Sequence, residues 1–125
     1  MAYPTDLKYT KDHEWIRVSG NEAEVGITDY AQQQLGDVVF VELPDVGRKV
    51  TAGESFGSIE SVKAVSELFA PASGEIADVN PALKDHPELV NSRPHETWMV
   101  KIRLSDPAAA GSLLDSAQYE QLVKA

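Results

Sequence analysis

Two runs of strand-forming residues converge on one lysine, and this restricts the fold more than any other feature of the chain. Glu54-Ser-Phe-Gly-Ser-Ile-Glu60 leads into Ser61-Val62-Lys63-Ala64, and Val65-Ser-Glu-Leu-Phe-Ala70 leads away. Gly53 lies ten residues before Lys63, and Gly74, which closes the turn Pro71-Ala-Ser-Gly74, lies eleven after it. Short strands bounded by turn residues and separated by so few positions read as a hairpin. Lys63 then sits at the tip, away from the body of the domain. β-Branched Val62 stiffens the backbone beside it, and Ala64 leaves space around it. A lysine so placed is either an ordinary solvated turn residue or the point at which a carrier is loaded covalently. The chain has no cysteine, so any thiol chemistry has to come from an attached group.

The rest of the pattern predicts more strands. Glu14-Trp-Ile-Arg-Val18 and Ala23-Glu-Val-Gly-Ile27 read as strands joined by Ser19-Gly-Asn-Glu22. Asp29 is expected to cap a short helix over 30–35, with Gly36 ending it. Asp37 to Leu43 reads as a strand stopped by Pro44, and 46–53 as a turn-rich connector. A further strand is expected over 75–80. Trp98, Val100, Ile102 and Leu104 alternate with Met99, Lys101 and Arg103, as in a strand with one buried face. On this pattern Trp15 and Trp98 are both core anchors. Residues 108–114 and 116–124 read as helices, with Leu113, Leu114, Tyr119, Leu122 and Val123 as packing candidates. Gly53-Glu54-Ser-Phe-Gly-Ser-Ile and Gly74-Glu75-Ile-Ala-Asp-Val hint at an internal repeat, one copy in each of two sheets. The expected fold is an all-β sandwich with small helical additions, in one domain over 1–125. Its core covers about 7–104, with a helical extension over about 107–124.

Composition excludes several classes. A chain of 125 residues is long enough for one hydrophobic core. A net charge of −9, with only 11 Lys and Arg scattered along the chain, argues against a nucleic-acid partner, since phosphate binding needs clustered cations. No apolar run reaches the length of a membrane span. Met1 to Lys8 shows neither a signal core nor an Arg-rich transit pattern, which points to a bacterial cytoplasmic protein. A mitochondrial location would require that a transit peptide had been removed. His13, His86 and His95 lack metal-ligand spacing and read as ordinary polar or capping residues; no metal site is expected. There is no Gly-x-Ser-x-Gly elbow and no glycine-rich phosphate loop.

The blocks His13-Glu14-Trp15, Gly26-Ile-Thr-Asp-Tyr-Ala-Gln32, Leu35-Gly-Asp-Val-Val-Phe-Val-Glu-Leu-Pro44 and Glu60-Ser-Val-Lys-Ala64 occur in order. Ala70-Pro71, Gly74-Glu-Ile76, Val79-Asn80 and Pro87-Glu-Leu-Val-Asn91 follow. Together they resemble the H-protein family of the glycine cleavage system over residues 7 to about 104. The resemblance implies a lipoyl-type flattened β-barrel or sandwich with internal symmetry. It also implies lipoate on Lys63, with Glu60, Ser61, Val62 and Ala64 as the recognition context. The implied function is to carry an aminomethyl group from glycine decarboxylase to aminomethyltransferase, then electrons to dihydrolipoyl dehydrogenase. Loading would fall to a lipoate ligase or an octanoyltransferase. In that family the loaded arm ends in a protonated amine that is labile in water. Glu14, Glu67 and Asp12 are therefore candidates for docking it, their ordinary role being solvated surface carboxylates.

Other readings stay open. An H-like protein could pass lipoate on to other lipoyl domains. Biotin carriers place methionines beside their lysine, whereas the only methionines here are Met1 and Met99. Lipoyl domains of 2-oxo-acid dehydrogenases place an acidic residue where this chain has Val62. An enzyme using Lys63 as a Schiff-base nucleophile would need an apolar pocket that an exposed tip does not offer. The chain also departs from the resembled pattern at Asn91-Ser-Arg-Pro-His95-Glu-Thr-Trp98. This loop is one residue short, lacks two glycines, and has His95 in place of tyrosine. Without glycine the loop is expected to be stiff and to alter partner docking at that edge.

Overall fold

Alternation along the chain resolves into two antiparallel sheets in a computed structural model that describes residues 3–106 and 113–124. The strands are β1 (Lys8–Tyr9), β2 (Glu14–Ser19), β3 (Glu22–Ile27), β4 (Val38–Glu42), β5 (Lys49–Val50), β6 (Ser55–Ser61), β7 (Val65–Phe69), β8 (Gly74–Val79) and β9 (Val100–Leu104). Helices α1 (Asp29–Leu35), α2 (Ala82–Asp85), α3 (Leu89–Ser92) and α4 (Ser116–Lys124) decorate them. One sheet runs β1-β2-β3-β9-β8-β5 and the other β4-β6-β7. β6 and β8, which carry the suspected repeat, lie in different sheets, as expected.

The sheets face each other across a core that includes Ile16, Val25, Phe56, Ile59, Leu68, Ile76 and Ile102. In β9, Val100, Ile102 and Leu104 are buried while Lys101 and Arg103 face outward, the period-two pattern of a half-buried strand. That alternation does not extend back to Trp98. Met99 is buried and donates its N–H to the Val25 carbonyl at 2.7 Å, while Trp98 is only half-buried, with the Lys101 ammonium 4.7 Å from its ring centre. The strand begins only at Val100, so Trp98 lies outside the sandwich core and packs, partly buried, against a second cluster instead.

A second cluster joins Tyr3, Leu7, Tyr9, Trp15 and Tyr119. Tyr119 brings α4 onto β1 and stacks on Tyr9, with ring centres 4.8 Å apart. Trp15 is fully buried, donates its indole N–H to the Pro94 carbonyl at 2.8 Å, and lies over its cross-strand partner Gly26. A Cβ at Gly26 would come within 2.6 Å of that ring, so the glycine is what lets the indole lie flat. Trp15→Ala should cost about 3–5 kcal/mol in denaturant unfolding. Trp98→Ala should cost less, about 2–3 kcal/mol, because Trp98 is only partly buried and packs at the edge of this cluster. Equal losses would contradict this division.

Three more sequence expectations change. Thr28, not Asp29, caps α1: its Oγ1 accepts from the Ala31 N–H at 3.2 Å, while Asp29 is the first helical residue. Thr28 is held extended because its own N–H bonds the His13 carbonyl at 3.0 Å. The expected helix over 108–114 falls mostly on residues 107–112, outside those described. Its end is not helical: Leu114 exchanges backbone hydrogen bonds with Tyr9 as a β-bridge. Finally, β1 and β5 were not foreseen, since two-residue strands are too short to show alternation. No helix among the described residues is long and apolar enough to cross a membrane.

Candidate functional site

The hairpin tip is built by one serine. Ser61 is buried at the end of β6, and its N–H bonds the Ala64 carbonyl at 2.8 Å to close a four-residue turn. Its Oγ accepts from the Lys63 N–H at 3.3 Å and the Ala64 N–H at 3.1 Å. A hydroxyl that gathers the turn's donors fixes the backbone locally. Val62 donates to the Asp37 carbonyl at 3.0 Å, which ties the tip to the start of β4. Lys63, Val62, Ala64 and Glu60 are all exposed, as the sequence reading expected of a modifiable tip.

The lysine stem passes the end of α1. Its Cε lies 3.4 Å from where a Cβ of Gly36 would stand. Gly36 ends α1 at φ 77°, ψ −160°, a region essentially reserved for glycine. The lysine stem therefore runs beside the residue that stops the helix. Asn91 locks the same corner. Its amide donates to the Gly36 carbonyl at 2.8 Å and to Gln32 at 3.1 Å, and its Oδ1 accepts from the Val38 N–H at 2.8 Å.

Beside the tip opens a cleft of about 320 Å³, bordered by Ala64 and Val65 of the hairpin. Ile27, Ala31, Leu35, Ile59 and Leu68 supply apolar wall, and Asp12, His13, Glu14, Gln34 and Glu67 supply polar groups. The three carboxylates singled out in sequence thus meet in one place, although Lys63 itself does not line it. Asp12 and Glu67 are exposed. Glu14 is not: it is only 2% exposed, so the solvated reading fails for this residue.

The β1–β2 loop explains the burial of Glu14. Thr10 and Glu14 close a three-residue loop, with the Thr10 N–H on the Glu14 carbonyl at 2.9 Å, and His13 adopts φ 69°. This is the left-handed position where such loops favour glycine. His13 holds it through Nδ1, 2.9 Å from the Tyr119 hydroxyl, and through ring contact with Tyr30. The Tyr119 hydroxyl in turn lies 2.7 Å from Thr28 Oγ1, so α4 braces both the loop and the start of α1. Turned inward, Glu14 accepts from the Phe69 N–H at 3.0 Å and from the Thr10 hydroxyl at 3.2 Å. Burial pushes its carboxyl up to about 8. The Phe69 N–H and Thr10 hydroxyl oppose the shift, and the Asp12 charge adds to it. Such a group is an acid that readily ionises when a cation is placed against it.

The loop that departs from the resembled pattern is tied to the body of the domain at two points. Pro94 receives Trp15, and His95 Nε2 accepts the Asp29 N–H at 3.1 Å, one of the unpaired donors at the start of α1. Burial lowers the His95 basicity, which keeps that nitrogen an acceptor. Thr10, Gly36, Asn91 and Tyr119 carry the geometry of the site, yet only Gly36 left a local signal in the sequence, as a helix stop. Asn91 and Tyr119 act across long sequence separations, and Thr10 acts through a loop whose shape the sequence does not show.

The comparisons agree with this geometry. The model of the glycine cleavage H-protein family matches residues 7–125. A glycine cleavage system H protein of Geobacillus kaustophilus is 55% identical over 124 residues, covering 98% of each chain. One from Koribacter versatilis is 57% identical over 121 residues, covering 97% of this chain and 94% of its own. The crystal structure of a glycine cleavage system H protein from Mycobacterium marinum superposes with a TM-score of 0.90 at 42% identity, over 98% of this chain and 100% of that one. Fold, site corner and relatives converge: this chain belongs to the glycine cleavage H-protein family.

Proposed function

We propose that this chain is the lipoyl-bearing carrier of a glycine cleavage system, with lipoate in amide linkage to the Nζ of Lys63. The observation that carries the reading is an exposed lysine on a serine-pinned turn beside a cleft with apolar walls and a buried carboxylate. When attached, lipoate supplies a disulfide that takes cargo on sulfur and then delivers two electrons. The chain's own residues do the rest. Ser61 holds the turn so that a modifying enzyme meets one backbone shape. Gly36 ends α1 beside the lysine stem. Ile27, Leu35, Ile59 and Leu68 suit an aliphatic arm, and Glu14 suits a cationic amine at its end, with Glu67 and Asp12 at the rim. Carboxylate pairing out of bulk water is what a labile ammonium cargo needs.

The partners follow from this role: glycine decarboxylase, aminomethyltransferase and dihydrolipoyl dehydrogenase, with a lipoate ligase or octanoyltransferase for loading. The chain acts as a carrier rather than as an enzyme. Lys63 has no apolar pocket around it to favour the neutral amine, as a Schiff-base nucleophile requires. The bacterial relatives favour a cytoplasmic setting.

Reconstitution tests the reading. Loaded protein mixed with the three enzymes, glycine, tetrahydrofolate and NAD should support NADH formation, and unloaded protein should not. No glycine-dependent turnover, together with transfer of lipoyl groups to other lipoyl domains, would replace it with the relay alternative.

A further inference from the structure

An enzyme that acylates Lys63 must seat the bare ε-amine, so its contacts have to fall within one lysine side chain of the turn. Enzymes that act at the far end of a loaded arm are free of that constraint. Four exposed apolar side chains stand around the turn. Val62 is 69% exposed, Val65 68%, Phe40 54% and Val39 50%. Single exposed apolar residues are ordinary, but four grouped around one lysine form a patch of the kind that marks an interaction site.

The backbone builds this patch. The pairing of β4 with β6 shifts register between Val38 and Phe40. A bulge re-aims side chains, and here both Val39 and Phe40 face solvent where strict alternation would bury one. Phe40 pairs with Glu60, and Glu60 pairs with Val65, so the three form one cross-strand row on the outer face. Exposed Glu60 thus stands within the patch, and exposed Asp37, Glu42 and Glu67 edge it with negative charge.

We propose that Val39, Phe40, Val62 and Val65 are the docking surface for the enzyme that acylates Lys63, whose matching face is apolar with a basic rim. This rests on the reading of Lys63 as the acylated residue. The step served is acyl transfer from an activated donor, a mixed anhydride of the acid with a nucleotide. The deprotonated Nζ attacks the carbonyl carbon, the amide C–N bond forms, and the nucleotide leaves with the bonding electrons. The lysine proton goes to base, and nothing is oxidised or reduced.

The test compares loading of unmodified wild type, Val39→Glu, Phe40→Glu, Phe40→Ser and Val46→Glu by a lipoate ligase with lipoate and ATP. Val46 is also exposed but lies beyond the far end of β4, which makes it the control. Circular dichroism and thermal melting check that each variant folds. Phe40→Glu and Val39→Glu should lower kcat/KM for loading about tenfold or more. Phe40→Ser should lower it severalfold, and Val46→Glu should match wild type. Once driven to full loading, Phe40→Glu should turn over in the glycine reaction like wild type. Unchanged loading of Phe40→Glu overturns the proposal, as does an equal fall in Val46→Glu. So does an equal loss of turnover in the fully loaded variant, which would make the patch a general docking or structural element. Sedimentation showing a wild-type dimer that Phe40→Glu dissolves would assign the patch to a second copy of this chain. Failure of wild type to load at all would instead remove the reading of Lys63, and the proposal with it.

Discussion

Lys63→Arg should abolish loading completely while leaving the fold intact. The side chain is exposed and rests over Gly36, and the turn around it is set by the Ser61 hydroxyl and backbone groups, not by the lysine. Arginine keeps the charge and much of the length, but its guanidinium stays protonated and offers no acylable amine. Stability should stay within about 0.5 kcal/mol of wild type, as for most surface changes. Intact mass after incubation with a lipoate ligase, lipoate and ATP reads the loading directly. A full lipoyl increment on the arginine variant would move the attachment point to another lysine.

Glu14→Gln should strengthen the unloaded protein and weaken its function. The folded-state value near 8 stands above the ordinary 4.5 of a glutamate, so between about pH 4.5 and 8 the folded protein holds a proton that the unfolded chain has lost. The contribution of Glu14 to stability is therefore full below about pH 4.5, falls as pH rises through that window, and reaches its lowest level above about 8. Glutamine carries no such proton; its one amide oxygen can accept from the Phe69 N–H, while the Thr10 hydroxyl loses its acceptor, a small cost that does not change with pH. The variant should thus gain on wild type steadily with pH, reaching about 2–4 kcal/mol near pH 8. His13 and His95, whose basicity burial lowers, shift stability in the opposite direction, gaining as pH rises toward 6.5. Both are present in both proteins, so they largely cancel in the difference. Denaturant titrations across pH 4 to 9 measure it, and parallel curves for the two proteins would place Glu14 in water.

The functional half of this prediction concerns the cationic cargo. A charge-assisted hydrogen bond contributes about 1.5–3 kcal/mol, so its loss in Glu14→Gln should speed release of formaldehyde from loaded protein roughly tenfold or more. Glu67→Gln should act more weakly, because Glu67 is exposed and its charge is screened. Decay rates of loaded protein, with lipoylation checked by mass, decide the point. Equal decay in wild type and Glu14→Gln would leave protection to the apolar wall alone.

Much of this was legible in the sequence, and what was not has a common cause. The hairpin around Lys63 is local: strand runs, turn residues and a serine two positions from the lysine specify it within about a dozen residues. The strand β9 shows its buried face by alternation. What the pattern hid is held by contacts between distant segments. Glu14 reads as one more surface carboxylate until the left-handed His13, braced by Tyr119 on α4, turns it inward. Trp98 keeps the spacing of a core residue, but the strand starts two positions later and Met99 takes the buried place. Thr28 takes the cap expected of Asp29 because the His13 carbonyl holds its backbone extended. The outer patch was invisible for a related reason. A bulge breaks the period-two rule, so Val39 and Phe40 read as half-buried strand when both face solvent.

Peptide mapping of protein purified from its native host shows whether the chain is a carrier loaded at one residue. A lipoyl group in amide linkage is expected on Lys63, within Glu60-Ser-Val-Lys-Ala64, and on no other lysine. A lipoyl group mapped elsewhere, or an unmodified Lys63 in cells that make lipoate, would contradict it.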